Sequence, residues 1–319
     1  MRTKIVYVLV SQETDYYYEM LLLSLYSLRL HHPKGDAEVE VVMDEDTHQR
    51  LVYKKAEMLS DIEPIVVPIP PEYAIMQRSR FLKTQLRQLV KGDFLFLDCD
   101  TLVCAKLDEI DKVDADIAMV SDANNKSNKR TPYAKELCEK AGLYNLEGCP
   151  YFNSGVIFTR DTSSASSFFS DWHLLWQETL AKGIPQDQPA LCKVNTDYNY
   201  LIQELYGGWN CQEGCKDAFE YVNSAKVLHY FTNFSKRHLV LFLLQQIKES
   251  GTIDSSIIKI AQKPREIGHS FFTMPRQKML KFILSEQLYV FDTIPKLNKL
   301  TNIITFPFLN YIEKNKRND

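Results

Sequence analysis

Phe94-Leu95-Phe96-Leu97-Asp98-Cys99-Asp100-Thr101-Leu102-Val103 is a strongly apolar run that halts at two carboxylates spaced i, i+2. Such a run, bounded by charge, reads as a strand buried on both faces. Residues i and i+2 of an extended segment point the same way, so Asp98 and Asp100 are expected to converge where the strand leaves the core. Two like charges held together call for a counter-cation. Hard carboxylate oxygens suit Mg²⁺ or Mn²⁺, above all when a phosphate supplies further oxygens. The plainer reading is a turn carrying two solvated aspartates, and the spacing alone does not separate the two.

Outward from that run, the upstream sequence alternates strand and helix patterns. Residues 5–10 are apolar and β-branched, and residues 17–30 carry an amphipathic pattern of helix length. Residues 39–43 form a second apolar strand ending in Asp44-Glu45-Asp46, followed by a helical stretch over 47–59 and a short strand over 64–67. This alternation predicts a parallel α/β sheet. Its ligands would bind beyond the carboxyl ends of the strands, where Ser11, Asp44 and Asp98 fall. Residues 78–90 predict another helix with Arg80 and Lys83 on one face near its start, a place suited to phosphate; a solvated basic face is the alternative.

Downstream, residues 115–120 read as a buried strand, and the Asn-, Lys- and Ser-rich residues 122–130 as a mobile surface loop or lid. Tyr151-Phe152-Asn153-Ser154-Gly155-Val156 sets a polar triplet against a strand. Its glycine permits close backbone approach, and Asn153 and Ser154 can hydrogen-bond a polyol. In the helix expected over 161–180, Phe168, Phe169, Trp172, Leu175, Trp176 and Leu180 share a face and read as core rather than as a sugar platform. A short helix starting at Pro185 presents Asp187 and Gln188 in its first turn. His229 lies in an aromatic strand over 227–231, ordinarily the place of a satisfied core histidine unless carboxylates elsewhere are short of a ligand.

The 319 residues, 45% hydrophobic and 25% charged, suffice for one large core or one and a half domains. A net charge of -3 without clustered basic and aromatic residues argues against nucleic acid as a partner. The seven cysteines, odd in number and mostly within apolar runs, fit reduced thiols in a cytoplasmic chain. Cys211 and Cys215 are close in sequence but lack the second pair that a zinc site needs. Residues 1–10 hold too short an apolar run for a signal peptide, and no window approaches the roughly 20 apolar residues that span a bilayer. From residue 240 onward 12 Lys or Arg stand against 7 Asp or Glu, so this stretch carries +5 and the preceding part -8. Its interleaved aromatics and lysines suit either an anionic membrane surface or an ordinary helical appendage.

Taken in order, Leu97-Asp98-Cys99-Asp100-Thr101-Leu102-Val103, then Phe152-Asn153-Ser154-Gly155-Val156, then Asp187-Gln188, then a late His229 resemble the family 8 retaining glycosyltransferases, glycogenin-like and lipopolysaccharide-galactosyltransferase-like. The resemblance runs from about residue 4 to about residue 236. It implies a GT-A fold, an α/β architecture with a Rossmann-like mixed sheet, as a catalytic domain over 1–238, followed by a helical basic extension over 239–319. It implies a nucleotide-sugar donor, UDP-glucose or UDP-galactose foremost, a glycan or lipid-linked acceptor, and Mn²⁺ or Mg²⁺ bridging the diphosphate to Asp98, Asp100 and His229. By the same resemblance Val10, Ser11 and one of Tyr16 or Tyr17 form the nucleoside loop, and Arg80 and Lys83 reach the phosphates or donor sugar. Asn153 and Asp187 fall where sugar hydroxyls are held, and Gln188 faces the reacting carbon. The family's Gly and Lys-Pro-Trp segment after the histidine is replaced here by Tyr-Phe-Thr-Asn-Phe-Ser, which puts Lys236 one position late for its phosphate contact.

Aspartyl-phosphate hydrolases also use a strand ending in Asp-x-Asp, but they carry Thr or Val where Leu102 stands, and on the first strand of their domain. Nucleotidyltransferases share the sheet type but open on a Gly-rich basic loop, and residues 11–18 contain no glycine. A catalytically inactive glycan- or partner-binding domain would be expected to have a damaged metal set, yet Asp98, Asp100 and His229 are all present. The expectation is therefore a metal-dependent hexosyltransferase, cytoplasmic, free or peripheral on the membrane face.

Overall fold

The structure, a computed structural model, describes residues 1–11, 16–51, 62, 64–212, 215, 217–221, 224–230, 238–250, 253 and 258. Its strands are β1 (Lys4–Leu9), β2 (Val39–Asp44), β3 (Pro64–Val67), β4 (Phe94–Leu97), β5 (Thr101–Val103), β6 (Ile117–Ser121), β7 (Phe152–Thr159), β8 (Ile202–Glu204), β9 (Cys211–Gln212) and β10 (Val227–His229). Its helices are α1 (Tyr16–Arg29), α2 (Glu45–Leu51), α3 (Ile75–Thr84), α4 (Leu86–Leu89), α5 (Pro132–Lys140), α6 (Ser163–Ala181), α7 (Gln188–Asp197) and α8 (His238–Ser250). Seven strands form a sheet in the order β3-β2-β1-β4-β7-β6-β8, and a second sheet has the order β5-β10-β9.

β3, β2, β1 and β4 are parallel, as the strand–helix alternation predicts. The sheet as a whole is mixed rather than parallel, because β7 runs antiparallel to both β4 and β6. The chain leaves β6 at Ser121 and re-enters opposite it at Phe152. A return at the same end of the sheet admits only an antiparallel strand.

Both faces of the sheet are covered. β1 sends Ile5, Tyr7 and Leu9 into one core and Val6 and Val8 into the other, and β4 splits Leu95 and Leu97 from Phe94 and Phe96. This two-sided burial is the reason these strands read as unbroken apolar runs. α1 and α8 line the first core; α3, α4, α6 and α7 line the second.

The tryptophans of α6 are core, as their spacing predicts: Trp172 and Trp176 are fully buried. Their indole N–H groups donate to main-chain oxygens of Asp187 and Pro185, which fixes the segment entering α7. α3 begins at Ile75, earlier than the expected residue 78. Gln77 Oε1 accepts from the Ala74 N–H and supplies the cap that Ala74 cannot, so no Ser, Thr, Asp or Asn announces this start. The helix also breaks at Gln85 instead of continuing to residue 90. Arg80 and Lys83 consequently sit in the body and last turn of α3, not at a phosphate-binding N-terminus.

Of the basic C-terminal stretch, α8 packs Leu243, Leu244 and Ile247 into the core beside α1. Residues 259–319 lie outside the described residues, as do Gln12 to Asp15, residues 52–59 of the expected second helix, and Lys236. No described helix is long and apolar enough to cross a membrane.

Candidate active site

The set of Asp98, Asp100 and His229 is assembled by the small sheet. β4 stops at Leu97, and Asp98-Cys99-Asp100 is a turn rather than the extended segment expected from the sequence; Thr101 Oγ1 closes it by donating to Asp98 O at 2.8 Å. β5 then leaves the main sheet and pairs antiparallel with β10, placing Thr101 opposite His229. The Tyr230 N–H donates to Asp100 O at 3.1 Å, which locks the register. His229 Nε2 therefore stands 3.2 Å from Asp100 Oδ1, and one ligand atom from each of Asp98, Asp100 and His229 lies within 4.8 Å of the others.

A break in the β6–β7 ladder brings the Asn-Ser-Gly triplet to this set. Pairing jumps from Met119–Ile157 to Val120–Asn153, so Ser154 and Gly155 bulge out of register. Gly155 O accepts from Asp98 N at 2.8 Å, and Ser154 O accepts from Lys83 Nζ at 3.2 Å. Lys83 is 1% exposed; its ammonium lies over the Phe96 ring and 2.8 Å from Asp98 Oδ1. One turn earlier, Arg80 Nε lies 3.3 Å from Asp187 Oδ1, and Ser154 Oγ donates to Asp187 Oδ2 at 2.7 Å.

Burial opposes ionisation of Asp187, but Arg80, Lys83 and the Ser154 hydroxyl outweigh it and hold the carboxyl below its usual range. Burial likewise disfavours charge on Asp100, and His229 reverses the balance. The Arg80 guanidinium loses to burial and regains more from Asp187, Asp98 and Asp100, so it stays charged.

A buried amide network lies behind the ligands. Asn153 Oδ1 accepts from Gly155 N at 3.0 Å and from Asn210 Nδ2 at 2.9 Å. Asn153 Nδ2 donates to Asp122 Oδ1 at 3.2 Å, and Gln188 Nε2 donates to the same oxygen at 3.0 Å and to Phe152 O at 2.9 Å. Asn210 Oδ1 meets His229 Nδ1 at 3.1 Å. Burial raises the Asp122 carboxyl above its usual range against these hydrogen bonds.

Neither Asp122 nor Asn210 is evident as a site residue in the sequence. Asp122 ends an apolar strand much as Asp98 does, a signal that was present; Asn210 carries none. The 122–130 stretch is a loop at the surface, as expected, but several of its side chains are tied to the fold. Asn124 is buried, donates to the Gly207 and Asn210 carbonyls and accepts from Gln212 N, while Asn128 Oδ1 accepts from Tyr151 N. Short amide side chains bonding to the main chain anchor this segment, which opens on a 3₁₀ turn over Asp122–Asn124.

Asp98, Asp100, His229, Arg80, Lys83, Asn153, Ser154, Asp187 and Gln188 all line one cleft of about 320 Å³ beyond the carboxyl ends of β1 and β4, with Asp122 and Asn210 behind its wall. Val10, Tyr17, Ile75 and Met76 supply apolar lining to it. Tyr17 is 43% exposed, whereas Tyr16 packs beside it without lining the cleft. Ser11 does not line it either: its N–H donates to Thr47 Oγ1 at 2.9 Å, and the residue is buried.

Two carboxylates and one imidazole form a hard oxygen and nitrogen donor set that suits Mn²⁺ or Mg²⁺. Lys83 already balances Asp98, while Asp100 and His229 confront each other through atoms that a shared cation would reconcile. The residues present therefore fit a divalent metal. Two cations, a divalent site and an apolar slot with an aromatic ring can together hold a nucleotide diphosphate and stabilise its departure.

No curated protein sequence matches this chain significantly. Solved structures do. The galactosyltransferase LgtC, in complex with donor and acceptor sugar analogs, is 16% identical with a TM-score of 0.52, over 88% of this chain and 100% of that one. An active-site mutant of LgtC gives a TM-score of 0.54 at 16% identity, over 81% and 99% of the two chains. Mouse xyloside xylosyltransferase 1 in its apo form is 16% identical with a TM-score of 0.50, over 72% and 98%. These likenesses establish the GT-A fold. The model of Glycosyl transferase family 8 matches residues 9–235, more than two thirds of the chain, and with that match the chain belongs to family 8 and is a glycosyltransferase.

Proposed function

We propose that the enzyme transfers a hexose from UDP-glucose or UDP-galactose to a glycan acceptor, free or lipid-linked, with retention of anomeric configuration. Asp98, Asp100 and His229 would hold Mn²⁺ or Mg²⁺. The observation that carries this reading is the meeting of that ligand set with Arg80, Lys83 and Asp187 in one cleft that Tyr17 and Val10 also line. When bound, the ion neutralises the charge that develops on the leaving diphosphate.

The chain's own residues do the rest. Arg80 and Lys83 lie where they can bind phosphate oxygens, and the exposed Tyr17 ring offers a face to uracil. Asp187 is held ionised and can accept from sugar hydroxyls, since a carboxylate takes more than two hydrogen bonds. Both N–H groups of the Gln188 amide are engaged by Asp122 and Phe152 O, which leaves its carbonyl oxygen for the cleft. An amide oxygen is a weak nucleophile but a suitable dipole beside a carbon gaining positive charge.

This favours same-face substitution. The acceptor hydroxyl attacks the anomeric carbon from the side on which the diphosphate departs. The bond to the phosphate oxygen breaks, and that oxygen takes the hydroxyl proton. Proton NMR of the product formed from an α-linked donor is expected to show an α-glycoside; a β-glycoside would remove both retention and the role given to Gln188.

A further inference from the structure

We infer that Asn210, oriented through Asn153, fixes the tautomer of His229 and so acts as a positioning residue for the metal set; this rests on the metal reading above. The Gly155 N–H can only donate. It points at one amide atom of Asn153, at 3.0 Å, so that atom is the oxygen. The Asn210 atom that meets the same oxygen at 2.9 Å must then be its NH₂. Its other amide atom, 3.1 Å from His229 Nδ1, is therefore the carbonyl oxygen. A carbonyl oxygen only accepts, so Nδ1 carries the hydrogen. Asp122 anchors the far end by accepting from Asn153 Nδ2.

The consequence falls on Nε2, the nitrogen facing Asp100. With Nδ1 protonated, Nε2 is the nitrogen that takes either a second proton or a metal, as ligation requires. Asn210 and His229 are both almost fully buried, so water offers no substitute acceptor. The same Asp122 oxygen also holds Gln188, which ties the histidine's orientation and that of the glutamine to one carboxylate.

The test uses the full chain labelled with ¹⁵N-histidine and free of metal, with the His229 signal assigned by its loss in His229→Gln. Neutral His229 is expected as the Nδ1–H tautomer. Asn210→Leu, shown to be folded by its thermal melt, is expected to weaken Mn²⁺ binding about 10- to 100-fold, followed by electron paramagnetic resonance. An Nε2–H tautomer in the wild type overturns the inference, and so does unchanged Mn²⁺ affinity in the folded variant. The wild-type spectrum decides the tautomer even where the variant fails to fold. An Nδ1–H tautomer without turnover of any nucleotide-sugar would leave the relay standing and remove the proposed reaction; turnover with an Nε2–H tautomer would do the reverse.

Discussion

Gly155→Ala is expected to cost the enzyme its proposed metal site and at least about 100-fold in turnover, since displacement of a catalytic group by about an ångström is enough for a loss of that size. A Cβ at this position would stand 2.2 Å from His229 Cε1, 2.6 Å from Nδ1 and 2.9 Å from Asn153 Oδ1. His229 and Asn153 are buried at 2% and 8% exposure, so neither has solvent to retreat into. The histidine must therefore move off the Asp100 side or β7 must shift. The fold should survive, because overpacking at one buried position costs roughly 1–3 kcal/mol. Mn²⁺ titration beside a thermal melt checks this: a folded variant that binds the ion as tightly as wild type would refute the placement of His229.

The second large effect is expected at Asp187. Asp187→Ala deletes the partner of Arg80 and leaves a poorly solvated guanidinium whose Nε already lacks a hydrogen bond among the described residues. Breaking a fully buried pair costs about 3–5 kcal/mol. The Arg80 side chain keeps 29% exposure, and Asp98 and Asp100 share its field, so about 2–3 kcal/mol is expected, with turnover abolished. Asp187→Asn keeps the shape and the Ser154 contact and should cost less.

The pH dependence follows in sign. The folded carboxyl of Asp187 titrates below its unfolded value of about 3.9, so its stabilisation is complete above that pH and is lost as pH falls through the folded value. Urea unfolding at neutral pH and below pH 4 should show the gap between wild type and Asp187→Asn closing in acid. A gap that persists would mean Asp187 is not the ionised partner of Arg80.

Much of the sheet was legible because burial on both faces writes itself as unbroken apolar sequence, as in β1, β2 and β4. The motif residues were legible as types: a strand ending in carboxylates, a polar triplet with glycine, a histidine among aromatics. Their meeting was not. Asp100 and His229 are brought together by β5 pairing with β10, short strands with no periodicity to announce them. The direction of β7 was hidden because a long connection conceals at which end of the sheet the chain returns. Arg80 and Lys83 were placed at a helix start because α3 is capped by the Gln77 side chain, outside the usual cap residues. Asn210 works through one amide contact to a buried ring, and a contact of that kind has no signature in a single sequence.

Hydrolysis of a panel of nucleotide-sugars by the full chain, with Mn²⁺, with EDTA and beside Asp100→Ala, goes most directly to the chemistry. Slow release of UDP from one sugar, lost on chelation and lost in the variant, is the predicted result and names the donor. Absence of turnover together with absence of metal-dependent UDP binding would contradict the donor site built on Asp98, Asp100 and His229.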